Sequence, residues 1–148
     1  MGVVVIGEIC RDLVLRVTEH PGPDESAAVL ESREMLGGKG ANQAVGLAQL
    51  GEPVELIAVA GEDDAGAACL DQLAADGVGI RGVARRGSTA LIVTTVDDSD
   101  DRRLCEQRPE TALVAEADVV DIGRLATAAA AATVQRLGGR PDLTGLCS

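Results

Sequence analysis

Gly37-Gly38-Lys39-Gly40-Ala41-Asn42-Gln43-Ala44 is a glycine turn running straight into a helix, and its reading decides the fold. Ala41, Ala44, Val45 and Ala48 keep the i, i+3, i+4, i+7 spacing of one helical face, backed by Leu47 and Leu50. Gly51 stops that helix. Glycines let the backbone approach a ligand closely, and a helix start presents N–H groups that lack intrahelical partners. Lys39 and Asn42 add a cation and an amide on the same turn, which suits a polyhydroxylated or anionic small molecule. Glycine richness alone is equally consistent with a plain loop-to-helix turn.

Upstream, Val3-Val4-Val5-Ile6-Gly7 is a β-branched run ended by glycine and reads as a buried strand. Asp12 to Val17 alternates more loosely and stops at the turn cluster His20-Pro21-Gly22-Pro23. Ala27 to Leu36 mixes apolar and charged residues, as an exposed or lid-like strand does. Downstream, Val54 to Ala60 is a second buried strand, and Asp63 or Asp64 caps a helix that runs to about Asp76. Ala65, Ala68, Cys69 and Leu73 are expected on its inner face, and Gly77 ends it. Thr89 to Val96 is a third strand, rich in Val, Thr and Ile. Strands and helices alternate through short links, the pattern of an α/β layer with a parallel sheet. Asp97 to Arg103 is the most loop-like segment, Leu113 to Val120 can begin a helix, and Ile122 to Leu137 is Ala-rich and strongly helical by propensity.

The 148 residues leave room for one ordinary domain. No Phe, Trp or Tyr occurs, so Leu, Ile, Val and Ala must build the core, with thin helices packed closely on the sheet. A net charge of −11 lacks the basic footprint of a nucleic-acid binder. The acidic clusters Glu62-Asp63-Asp64 and Asp97-Asp98-Ser99-Asp100-Asp101 read as solvated loops. Cysteines at 10, 69, 105 and 147 form no Cys-x-x-Cys pair, no secretory leader is recognisable, and no stretch approaches the ~20 apolar residues of a membrane span. A soluble, cytoplasmic protein with reduced thiols is expected, without a membrane or nucleic-acid partner. His20 has no evident nucleophile to serve and reads as a surface-loop residue, and no ligand cluster has metal-site spacing.

Two common phosphate-binding motifs are excluded. A Walker loop would need glycine at Arg33 and Ser or Thr at Gly40, and a dinucleotide fingerprint would need glycine at Gln43. The octapeptide at 37–44, followed by a helix ending in Leu50-Gly51, instead resembles the first signature of the ribokinase-like (PfkB) carbohydrate kinases. Val-Ile-Gly-Glu-Ile-Cys-Arg-Asp at 5–12 resembles that family's strand-plus-acid start. Gly61-Glu62-Asp63-Asp64-Ala65-Gly66 resembles its Gly-x-Asp-x-x-Gly segment, and Thr89 to Val96 resembles the strand that follows. The likeness extends from residue 1 to about 119, in the family's order and spacing.

The resemblance implies a Rossmann-like three-layer α/β fold with a parallel sheet and a small β lid. It implies that Asp12 accepts hydrogen bonds from sugar hydroxyls, and that Gly38, Lys39 and Asn42 contact the rest of a ribose-like sugar. A carboxylate suits that task because it can accept from two vicinal hydroxyls at once. Cys10 stands where the family often has Asn, so the resemblance implies that one sugar contact is lost or changed. The implied reaction is phosphoryl transfer from Mg-ATP to a sugar hydroxyl, and lid strands around 12–17 and 27–36 imply a possible homodimer. The family's catalytic signature, Asp-Thr-x-Gly-Ala-Gly-Asp, has no match; Gly138-Gly139-Arg140-Pro141-Asp142 is the nearest string, with a proline where a helix start needs N–H groups. No catalytic residue is therefore assigned, and the ATP site is expected to be absent. Residues 1–119 read as the sugar-binding part with its lid, and 120–148 as a C-terminal helix and tail resembling the last helix of these kinases. A deletion of the catalytic middle is the expectation that joins these two pieces.

Overall fold

The computed structural model describes residues 2–115 and Asp118. The expected helix at Ile122–Leu137 lies outside the described residues, as does half of the one expected at Leu113–Val120, of which Leu113, Val114 and Ala115 are not helical. By contacts the chain divides into Met1–Val114 and Ala115–Ser148.

The elements in chain order are β1 (Val3–Ile6), β2 (Cys10–Val17), β3 (Val29–Gly37), α1 (Lys39–Gln49), β4 (Val54–Ala60), α2 (Asp64–Ala75), β5 (Gly79–Arg85), β6 (Ala90–Val96) and β7 (Arg102–Gln107), followed by a 3-10 turn at Glu110–Ala112. They form two sheets. β1, β4 and β5 make a wholly parallel sheet in the order β1-β4-β5. β3, β2, β6 and β7 make the second in that order, with β2 and β6 parallel and both outer pairs antiparallel.

Side chains of both helices pack with those of the parallel sheet in one core cluster, as expected when crossovers step in one direction along a sheet. The core lies there. Val5, Leu56, Ala58 and Ala60 of the strands meet Ala41 and Ala44 of α1 and Cys69 and Leu73 of α2. Without aromatic side chains the layers approach closely, and Ala41, Ala44, Leu56, Ala58 and Leu73 are all 0% exposed. The positive φ of Gly51 (83°) and Gly77 (81°) ends the two helices as the sequence predicts. The other face is less covered, so β1 is not the buried strand its sequence suggests: only Val5 is buried, Val4 and Ile6 are 47% and 53% exposed, and its outer edge has no strand partner among the described residues.

Four local expectations need correction. The third strand of the parallel sheet is β5, whose Gly79, Arg81 and Gly82 hide its strand character in a propensity reading. Thr89–Val96 belongs instead to the second sheet, where it pairs with β2. Arg102 and Arg103 lie in β7, so only Asp97–Asp101 is a turn. In α2 the buried face carries Gly66, Cys69 and Leu73, while Ala68 is exposed. His20 is also no free loop residue, since its side chain is 4% exposed. Its ring nitrogens lie 3.2 Å from the Thr95 hydroxyl and 3.1 Å from the Asp101 carbonyl, tying the β2–β3 connection to the β6–β7 turn.

Among the described residues, no helix is long and apolar enough to cross a membrane.

Candidate functional site

Three segments converge where the two sheets meet: the link Gly7-Glu8-Ile9, the start of β2, and the turn into α1. Gly38 stands at φ 98°, a conformation that excludes most side chains, and a Cβ there would lie 2.5 Å from the Glu8 carbonyl oxygen. The Ala41 amide donates to that same carbonyl over 3.2 Å, and the Asn42 amide donates to Gly38 O over 2.9 Å. Gly40 lies directly on Gly7, so that a Cβ on Gly40 would sit 2.7 Å from the Gly7 Cα. Gly7 in turn donates to Ile57 O over 3.0 Å, which fastens the link to β4. The glycines are thus spent on backbone contact between the helix start and the link.

Asp12 projects from β2 beside this junction. Its carboxylate packs against Gly37, which has no side chain to displace it, and accepts a hydrogen bond from Cys10 Sγ at 3.3 Å. Cys10 is 2% exposed. Burial, and then the neighbouring Asp12 charge, pushes its thiol far above its ordinary pKa, so it stays a protonated donor. Cys69 lies within hydrogen-bonding reach of Cys10 O, 3.7 Å away, and burial raises its pKa too.

Of the residues singled out in the sequence, Asp12 and Gly38 meet through Gly37. Lys39 and Asn42 occupy the first turn of α1, exposed and with no side-chain partner among the described residues. The Gly-x-Asp-x-x-Gly segment has a structural task. Asp63 caps α2 by accepting from the Gly66 amide at 2.9 Å, and it holds the Thr89 amide at 2.8 Å and the Thr89 hydroxyl. These bonds, the Thr89 hydroxyl first, lower the pKa of Asp63.

Sequence reasoning missed a charged group at the end of β7. Arg108 follows β7 and reaches Glu8 of the link (Nη1 to Oε2, 2.9 Å) and Glu106 of its own strand (Nε to Oε2, 2.9 Å). The Glu106 hydrogen bond, then the Glu8 charge, raises the Arg108 pKa further. Arg108 and Glu8 also line a cavity of about 210 Å³ with Ile9, Ala90 and Leu113. Glu8 and Arg108 are a hundred positions apart, so no local pattern could have joined them. Gly37 was legible as half of a glycine pair, but its contact with Asp12 was not.

Neither helix start among the described residues offers an open phosphate site. The α2 start is closed by its own Asp63 carboxylate, and the α1 start presses on the Glu8 carbonyl with Asp12 beside it, so neither is an open anion site. No group of three metal-ligating side chains occurs among the described residues.

Comparison with known proteins places this arrangement. The family model described as "pfkB family carbohydrate kinase" matches residues 2–112. The chain is 40% identical over 76 residues to the ribokinase of Bacillus subtilis, covering 51% of this chain and 26% of that protein. It is 36% identical over 98 residues to an ATP-dependent ribose-1-phosphate kinase of Halopiger xanaduensis, covering 65% and 33%. The crystal structure of Thermotoga maritima ribokinase superposes with a TM-score of 0.66 at 28% identity, covering 72% of this chain and 36% of that one. The chain therefore spans about a third or less of these relatives. Motif order, fold and family match agree, and the chain belongs to the pfkB family of carbohydrate kinases.

Proposed function

We propose that residues 1–119 act as the sugar-binding part of a ribokinase-like kinase, with 120–148 as a separate C-terminal helix and tail. Asp12 accepts hydrogen bonds from two hydroxyls of a ribose-like sugar, while Gly38, Lys39 and Asn42 receive the remaining hydroxyls and the ring oxygen. The observation that carries this reading is the seating of the Asp12 carboxylate against Gly37, with Cys10 as its donor and Gly38 at the start of α1. A thiol there donates but is a poorer acceptor than an amide oxygen, so Cys10 orients Asp12 more than it recognises sugar.

In this family's reaction, Mg-ATP supplies the phosphoryl group. Both helix starts among the described residues are occupied by the chain's own groups and the catalytic signature has no match in the sequence, which supports sugar binding as the activity of these 148 residues. Phosphorylation then depends on catalytic polypeptide beyond them. Val29, Leu30 and Leu104, each at least 50% exposed on the outer strands β3 and β7, support a homodimer through the lid. A cytoplasmic location completes the proposal.

An amide ¹H–¹⁵N spectrum of the chain titrated with ribose tests it. Saturable shifts centred on Asp12 and Gly38–Asn42 are the expected result. A dispersed spectrum that ribose does not move would overturn the sugar site. The relatives include a ribokinase and a ribose-1-phosphate kinase, so the acceptors to compare are a neutral sugar and a sugar phosphate.

A further inference from the structure

The registers put Glu106 on the face of the lid that carries Asp12. Asp12 pairs with Ile92, and Ile92 pairs with Glu106, so Asp12, Ile92 and Glu106 form one row across β2, β6 and β7. Paired residues point to the same face, and two strand spacings separate Asp12 from Glu106 by roughly 10 Å. Cys10 pairs with Ala90 in the next row. Arg108, just past the end of β7, is held beside Glu106 by their 2.9 Å ion pair. Glu8 closes the group from the β1–β2 link.

The charges in this group are not balanced toward an anion. Arg108 is already engaged by Glu8 and Glu106 at 2.9 Å each, and Asp12 adds a third carboxylate. Lys39 is the remaining cation among the residues assigned to the site, so three carboxylates face two cations. A phosphate monoester brings about −1.5 to −2 charges and would have to compete with both glutamates for Arg108. A neutral polyol needs no such exchange, because the outer carboxylate oxygens accept its hydroxyl hydrogens.

We propose that the Glu8–Arg108–Glu106 group is a specificity device of the sugar site, selecting a neutral sugar over a sugar phosphate by keeping Arg108 neutralised. This rests on the sugar-site reading above and decides the acceptor class that it leaves open.

The test compares dissociation constants for ribose and ribose 1-phosphate, read from the Asp12 and Gly38 amide shifts of the full chain. The unsubstituted chain should prefer ribose. Glu106→Gln releases one side of Arg108 and should move the ratio toward the phosphate by about fivefold, the size of an exposed ion pair's effect. The double variant E106Q/R108Q should lose that gain, which a merely structural role for Glu106 would not produce. Glu8→Gln frees the other side of Arg108 and serves if E106Q does not fold. Ribose binding with an unmoved ratio overturns this inference alone, as does an unsubstituted chain that prefers the phosphate. Failure to bind either ligand overturns the sugar site and this inference together.

Discussion

The Asp12 carboxylate fills the space that a side chain on Gly37 would occupy, diagonally across the β2–β3 pair. Gly37 pairs with Cys10, so its backbone is ordinary strand that alanine can adopt. Gly37→Ala should therefore act by displacing Asp12 rather than by straining the chain. We expect ribose binding to weaken by about tenfold or more, the worth of hydrogen bonds to a charged group, with far-UV circular dichroism unchanged. Asp12→Asn should lose a similar amount. Undiminished binding in both variants would exclude Asp12 from the site.

Two glycines of α1 should respond to alanine with opposite signs. A methyl on Gly40 would meet the Gly7 Cα at 2.7 Å, backbone on backbone, and overpacking of this kind costs about 1–3 kcal/mol. Gly46 has nothing within 4 Å of its would-be Cβ. There Gly46→Ala should stabilise by about 0.5–1 kcal/mol through helix propensity alone. Urea unfolding of the two variants separates the effects.

Asp63 should make stability fall in acid. Its folded pKa lies below the ordinary 3.8, so its contribution is fully present above that value and is lost as pH falls from 3.8 through the folded pKa. Asp63→Ala should cost about 1–2 kcal/mol at neutral pH, as loss of an N-cap does. The same variant should flatten the acid limb of a urea-midpoint profile, and an unchanged limb would assign that limb to other carboxylates.

The thiols should differ in reactivity. Cys10 and Cys69 are buried with raised pKa values, whereas Cys105 is exposed. Mass mapping after iodoacetamide at pH 8 should find Cys105 alkylated and Cys10 and Cys69 protected until denaturant is added. The folded chain keeps protons on these two thiols that the unfolded chain releases above about pH 9, so stability should decline as pH rises beyond that point. Rapid native alkylation of Cys10 would contradict its seat beneath Asp12.

Much of this chain was legible from local chemistry. Strand β4 runs from Val54 to Ala60 as read, because a fully buried parallel strand is a continuous apolar run. Asp63 caps α2, and Gly51 and Gly77 end the helices, because caps and stops depend on residues only a few positions away. The motif order from Gly7 to Thr89 pointed to the family, and Asp12 and the Gly38–Asn42 turn come together at the sheet junction.

Tertiary structure alone decided the rest. That Ala90–Val96 joins β2 rather than the parallel sheet depends on which distant edge offers its backbone groups partners, and alternation within seven residues does not carry that information. His20, surrounded in sequence by turn residues, is buried by Thr95 and the Asp97–Asp101 turn, more than 70 positions away. The engagement of Arg108 by Glu8 arises the same way, through the return of β7 alongside β6 to the β1–β2 link. Periodicity and capping act over one or two turns of chain and can be read in order, whereas ion pairs and sheet partners are set by the path of the backbone through space.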